Sequence, residues 1–319
     1  MPAAEKAFDL VVVGEINPDL ILSGDVTPAF GQVEKLVGDM ALAVGSSSVI
    51  FACGAARLGL RVAFIGKVGQ DLFGDFMCQE MVRHGIDTQG VIRDPNLRTG
   101  LSVILASGDD RAILTYPGTI PELAFEEIDS RLLAQARHLH LASYFIQSRL
   151  RPDVPRLLNL AHELGLTTSL DTNYDPAEGW DGGLREALAQ VDIFLPNEVE
   201  LQKIAGIPAL EPALDWAAGQ VGVTVVKRGK QGAAARSGDR VIWMDAIPAE
   251  TVVDTVGAGD SFDAGMLYGF LRGWDLADSL QLAVTCGSLS TRRAGGVNGQ
   301  PALEEARRCL ARYGRSIPG

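Results

Sequence analysis

The sequence predicts an α/β protein, one domain over residues 1–319, with a mainly parallel central sheet, helices on both faces, and a small β-sheet lid beside it. Three observations carry this. From about residue 126 onward, short apolar runs alternate with segments of helical spacing, and such alternation builds a parallel sheet covered on both sides. Phe8 to Val13 is a compact, β-branched run ending at Gly14, the pattern of a strand buried on both faces. Residues 16–40 instead carry Pro18, Gly24, Pro28, Gly31 and Gly38 between short apolar runs, which read as turns and short strands.

Phe8 to Val13 is the first strand. Gly14-Glu15-Ile16-Asn17 lacks the later glycines of a dinucleotide-binding turn, so that reading is set aside. Serines 46 to 48 can cap a helix running through Ile50, Cys53 and Leu58 and stopped at Gly59. Val62 to Ile65 is a strand, and residues 71–83 are a helix with Leu72, Phe76 and Met81 at helical spacing. Leu101 to Leu105 and Ala112 to Tyr116 flank Gly108-Asp109-Asp110, the pattern of a hairpin. With the turn-rich segment it forms the lid, roughly residues 15–40 and 96–117. Strands are then expected near 138–143, 166–170, 192–195, 223–226 and 233–244. Helices are expected near 126–136, 152–164, 182–189, 198–204, 211–219, 260–272, 276–292 and 302–313. Ligands of such sheets bind at the carboxyl ends of the strands.

Composition narrows the function. Apolar residues make up 47% and charged residues 21%, as in a folded globular chain. No apolar run has spanning length, and Met1 to Leu10 carries Glu5, Lys6 and Asp9, so neither a signal peptide nor a membrane partner is expected and the location reads as cytoplasmic. A net charge of −12 repels phosphate backbones and argues against nucleic acid. Cys53, Cys78, Cys286 and Cys309 form no zinc spacing and read as reduced thiols. His138 and His140 alternate in an apolar run, which places them on one strand face rather than at a metal.

The chemistry concentrates at Asp254-Thr255-Val256-Gly257-Ala258-Gly259-Asp260-Ser261-Phe262-Asp263-Ala264-Gly265. Small residues stand where an extended segment, ending at Val252 and Val253, hands over to a buried helix. Glycine tolerates positive φ and lets backbone approach a ligand. The first helical N–H groups and the helix dipole favour an anion, phosphate above all. Asp260 would repel that anion unless it acts on a neighbouring hydroxyl. A general base for an attacking hydroxyl fits, with a helix N-cap as the plainer alternative.

The full string resembles the C-terminal signature of the pfkB (ribokinase-like) carbohydrate kinases, D-T-x-G-A-G-D. The resemblance covers about residues 8–313 and implies a ribokinase-like fold and ATP-dependent phosphorylation of a sugar or sugar-acid hydroxyl. In that reading Asp260 is the base and the amides of Gly257, Ala258 and Gly259 are the anion hole. The start through Asn17 and Asp19 resembles the family's sugar-binding start. Gly45 and Ser46 stand where the family has a Gly-Gly pair, and Ile50 where it has an asparagine; Tyr116 closes the substrate-binding set. Asn197 and Glu200 match the N-x-x-E element, which implies Mg2+ held by Glu200 through water. Asp171 and Asn173 match D-x-N-x-R, with Asp175 in place of the arginine. A cation near the phosphates would then come from Lys227 or Arg228. Lys227, Gly229, Gly232 and Thr255 join Asn197 as nucleotide-binding residues. Asp254, with carbonyls around 290–296, is a possible K+ site by the same resemblance. A nucleoside kinase or a non-catalytic sugar- or nucleotide-binding regulator on the same fold are the alternatives. Excess apolar residues in Leu20-Ile21-Leu22 and Leu101 to Leu105 suggest a homodimer through the lid.

Overall fold

The computed structural model describes residues 6–107, 110–249 and 251–319. The first five residues and the expected turn residues Gly108 and Asp109 lie outside it.

The strands are β1 (Leu10–Val13), β2 (Pro18–Ser23), β3 (Asp39–Val44), β4 (Val62–Gly69), β5 (Ile86–Asp94), β6 (Leu101–Ser107), β7 (Asp110–Tyr116), β8 (His138–Leu141), β9 (Thr167–Leu170), β10 (Ile193–Phe194), β11 (Val223–Lys227), β12 (Ala233–Ser237) and β13 (Arg240–Met244). Nine form one sheet in the order β13-β12-β11-β10-β9-β8-β1-β4-β5. All its pairings are parallel except the two that β12 makes. The helices are α1 (Ser47–Leu58), α2 (Leu72–Arg83), α3 (Ser130–Leu133), α4 (Val154–Glu163), α5 (Leu184–Leu188), α6 (Glu198–Ala205), α7 (Leu210–Ala218), α8 (Ala258–Leu271), α9 (Leu276–Ser290) and α10 (Leu303–Arg312).

Alternation along β1 sends side chains to opposite faces. Leu10 and Val12 enter the core shared with α1, α2, α8, α9 and α10. Val11 and Val13 enter the core shared with α3 to α7. Helix α8 is buried without a break from Asp260 to Gly269. It comes so close to α9 that a Cβ on Gly265 would sit 2.8 Å from the Cα of Ala283. A helix enclosed on all sides has its amino end fixed, which is what a rigid ligand-binding turn needs.

The second sheet has the order β3-β2-β6-β7. Strands β2 and β6 run parallel, and β3 and β7 are added antiparallel at the edges. Strand β3 continues to Val44, directly before the Gly45-Ser46 entry to α1. Met40, Leu42, Ile113, Leu114 and Tyr116 stand exposed on these edge strands.

Two expectations are corrected, and one strand was not foreseen. The stretch 233–244 is not one strand but the antiparallel pair β12 and β13, turned at Gly238 with φ +55°. The helix expected over 126–136 is a 3-10 turn at Phe125–Glu127 and the short α3, because Ile128 is extended and Asp129 starts a new cap. Strand β5 escapes the pattern: Ile86–Asp94 mixes polar and apolar residues, as an edge strand does, and a register irregularity opposite Ala63 and Ile65 interrupts its alternation.

Candidate active site

The carboxyl ends of β1, β8, β9 and β11 bring Glu15, Ser143, Asp171 and Lys227 to one edge of the sheet, facing the start of α8. Gly257 precedes α8 with φ +72°. A Cβ there would lie 2.6 Å from the carbonyl oxygen of Gly296 and 2.9 Å from Ile50 Cγ2, so sterics and backbone both demand glycine. Ile50 therefore supports this turn from beneath; it is buried against Gly257 and Gly296. The Ala258 N–H makes a long contact of 3.3 Å to the Thr255 carbonyl.

Asp260 lies in the first turn of α8 and is buried. Burial, aided by the Asp171 and Glu15 carboxylates, pushes its carboxyl up to about 7, against the hydrogen bond from Ser47 and the Lys227 ammonium. Ser47 Oγ donates to Asp260 Oδ1. Asn173 Nδ2 donates to Ser47 Oγ at 2.9 Å.

Of the two basic residues Lys227 and Arg228, Lys227 is the one that reaches Asp171. Its Nζ donates to Asp171 Oδ2 at 2.6 Å and to Asp263 Oδ2 at 2.9 Å. The side chain passes beside Gly259, whose Cβ would sit 3.8 Å from Nζ. Burial favours the neutral amine, but the surrounding carboxylates override it and hold the ammonium charged. Burial and Asp171 push the Asp263 carboxyl up while the ammonium opposes them, and Asp263 Oδ1 is buried with no partner. Arg228 turns away to Glu198 at 3.1 Å and lies over Trp243. Asp175 caps a turn by accepting from Ala177 N and Trp180 N, so its carboxylate replaces the arginine with a structural contact.

Asn197 and Glu200 form a reciprocal cap at the start of α6: Glu200 Oε2 accepts from Asn197 N, and Asn197 Oδ1 from Glu200 N. Burial and the Asp171 charge push Glu200 up to about 7. Among the described residues no group of three or more His, Cys, Asp or Glu has metal-holding geometry. His138 and His140 are buried on β8, bonded to Thr167 and Ser169, and burial holds both well below the usual imidazole range.

The second sheet contributes a further carboxylate. Asp19 on β2 is buried against Gly45, where a Cβ would come within 2.3 Å of Asp19 Oδ1. That contact explains glycine at 45. Burial pushes the Asp19 carboxyl up to about 6, opposed by Arg111 of β7. Asn17 reaches Ser102 of β6 at 3.4 Å. Ser46 caps α1 and hydrogen-bonds Glu15. Tyr116 lies on β7, half exposed. Arg111 also approaches Asp254 Oδ1 to 3.7 Å.

Beyond the turn lies a cleft of about 470 Å³ lined by Lys227, Gly229, Gly232, Thr255, Ala258 and Gly259, walled by Ala246 to Ala249 and by α9. Gly229, with φ +54°, is open to it. Gly232 has a different reason: its Cβ would strike the Met244 carbonyl at 1.9 Å, so it serves the β12–β13 pairing. Sequence reasoning missed Ser47, Ser143, Glu15, Asp263, Arg111 and the wall 246–249. Asp263 left a signal, being a carboxylate three residues past Asp260 in an otherwise apolar helix.

Fold and site together define an ATP-dependent carbohydrate kinase. The match to pfkB family carbohydrate kinases spans residues 7–303, and the chain belongs to that family. It is 31% identical to an uncharacterized sugar kinase of Archaeoglobus fulgidus over 78% of this chain and 98% of that protein. It is 30% identical to a ribokinase of Lactococcus lactis over 93% and 95% of the two chains. Among solved structures, a candidate ribokinase II from E. coli in complex with ATP and Mg2+ superposes with a TM-score of 0.85 at 25% identity, covering 96% of this chain and 99% of that one.

Proposed function

We propose that the chain transfers the γ-phosphoryl group of ATP to a hydroxyl of a sugar or sugar acid, with Asp260 as general base. The observation that carries this is the position of Asp260: buried in the first turn of α8, bonded to Ser47 at the start of α1, two residues after the Gly45 that packs on Asp19, and acted on by the charge of Lys227, which lines the cleft. The sugar sits under the lid, against Asn17, Asp19, Gly45, Ser46 and Tyr116. ATP occupies the cleft along Lys227, Gly229 and Thr255. Asp260 takes the hydroxyl proton as the oxygen attacks phosphorus. The N–H groups of Gly257, Ala258 and Gly259, with the Lys227 ammonium, stabilise charge on the phosphoryl group in transfer. Lid closure excludes water as a competing acceptor.

Mg2+ fits beside Glu200. The cap uses Oε2, and an ion that keeps most of its waters needs few direct carboxylates. Bound there with ATP it would neutralise phosphate charge. At Asp254 a K+ ion would compete with partners already in place. Oδ1 accepts from Val256 N, Oδ2 accepts from Gly295 N, and the Arg111 guanidinium already supplies positive charge.

We read residues 1–319 as one kinase domain with the second sheet as its lid, paired across a two-fold axis in a cytoplasmic homodimer. The exposed Met40, Leu42, Ile113 and Leu114 on the lid edge strands support the pairing. An ATP-coupled screen over ribose, fructose, 2-keto-3-deoxygluconate and nucleosides, run on the wild type and Asp260→Asn, tests the reading. One sugar or sugar acid should turn over, and the variant should lose about 10²–10⁴-fold in kcat. Turnover of nucleosides alone, or an active Asp260→Asn, would overturn it.

A further inference from the structure

Six described non-glycine residues have left-handed backbone, and Ser46 (φ 66°), Ser143 (φ 55°) and Asn173 (φ 53°) are among them. These three surround the amino end of α1 beside Asp260. Such conformations cost energy and persist only where the surroundings over-determine them.

The hydrogen bonds that hold them have fixed directions. A backbone N–H can only donate, so Ser143 N, 2.8 Å from Asn173 Oδ1, fixes the orientation of that amide. Its Nδ2 must then donate to Ser47 Oγ, at 2.9 Å. With its acceptor side used, the Ser47 hydroxyl sends its single proton to Asp260 Oδ1. That leaves Asp260 Oδ2 outside the bond. Behind this line, Glu15 Oε1 accepts from Ser143 Oγ at 3.0 Å and Ser46 Oγ at 3.0 Å, and Oε2 accepts from Ser48 Oγ. Gly14 is required because a Cβ there would overlap Ser48 Oγ at 2.0 Å. The three consecutive serines thus divide their work: Ser46 and Ser48 bind Glu15, and Ser47 binds Asp260.

We propose that Ser47 is the positioning residue of Asp260, oriented by a partly buried line running from Glu15 through Ser143 and Asn173, so that one carboxylate oxygen is held and the other faces the sugar. This rests on the reading of Asp260 as the base. Besides Ser47, the charged groups facing Asp260 are Asp171 past β9, Lys227 on β11 and Glu15 past β1, with Asp263 one turn along α8. All of them remain in the variants below.

The sign follows from the donor. The Ser47 hydroxyl favours the ionised carboxylate, so its loss raises the pKa of Asp260. The base works ionised, so the acid limb of the rate profile moves to higher pH. The test is the pH dependence of kcat and kcat/KM for Ser47→Ala, Ser47→Thr and Asn173→Gly, with melting curves for each. Glycine accepts the φ of 53° at 173 and removes only the amide. Ser47→Ala should move the limb up by about one pH unit, so activity falls about tenfold on the acid side and less at high pH. Asn173→Gly should move it the same way by less, Ser47→Thr should restore it, and the KM for ATP should not change. A limb that stays in place in both Ser47→Ala and Asn173→Gly, while Asp260→Asn is inactive, refutes the positioning role and leaves the base intact. An active Asp260→Asn refutes the base itself. If Ser47→Ala does not fold, the Asn173→Gly profile decides.

Discussion

Replacing Lys227 with methionine keeps the apolar stem and removes the ammonium that Asp171 and Asp263 share at 2.6 and 2.9 Å. The side chains are 12%, 3% and 1% exposed, so water cannot take over. Breaking a buried pair by removing one partner costs about 3–5 kcal/mol. For 319 residues, an unfolding entropy of about 2.1 cal/mol/K per residue makes 1 kcal/mol about 1.5 °C, hence a drop of about 5–7 °C in Tm. The loss depends on pH. Burial and Asp171 already push the Asp263 carboxyl up, and without the ammonium nothing opposes them. A carboxyl whose folded pKa lies above its unfolded value of about 3.9 stabilises the fold below that value and loses the contribution as pH rises, by up to about 1.4 kcal/mol per unit. Urea melts from pH 4 to 8 should therefore show a Lys227→Met deficit that is small near pH 4 and grows toward neutrality. Lys227→Met/Asp263→Asn should recover at least half of it, because the second change removes the stranded charge. A deficit under about 1 kcal/mol at pH 7, or a double variant no more stable than the single, would refute the account of Lys227 as the site's buried counter-charge.

Asp19→Ala should raise the sugar KM about tenfold or more while ATP affinity measured by calorimetry stays the same, since Asp19 lies on the lid side and outside the nucleotide cleft. Gly257→Ala forces a Cβ against the Gly296 carbonyl at φ +72°; stability should fall by about 1–3 kcal/mol and kcat by about tenfold or more, read by urea melts and initial rates. Replacing K+ by Na+ or choline in the assay should leave turnover unchanged, because Asp254 is already bonded and faces Arg111; strict K+ dependence would reverse that assignment. Sedimentation should find a dimer that Leu114→Glu converts to monomer, and a monomeric wild type would remove the lid contact.

The strands, helices and anion-binding turn were legible because each depends on neighbours in the chain. Apolar spacing along Phe8–Val13, a serine before α1 and glycine after it, and Gly257 to Gly259 ahead of a buried helix all act over a few residues. Helix α8 could be read as buried because it has almost no polar face, and Asp260 stood out against it. Strand β5 could not be read, since an edge strand is half solvated and its bulge breaks the period. The partners of Asp260 and Lys227 were also out of reach. Ser47 lies 213 residues from Asp260, and Asp171 56 residues from Lys227. Nothing local distinguishes a serine that orients a carboxylate from one that caps a helix, because both are the same hydroxyl beside a helix end. Only the parallel sheet decided it. By placing the ends of β1, β8, β9 and β11 side by side, it set Glu15, Ser143, Asn173 and Lys227 around the first turn of α8 and took them largely out of water.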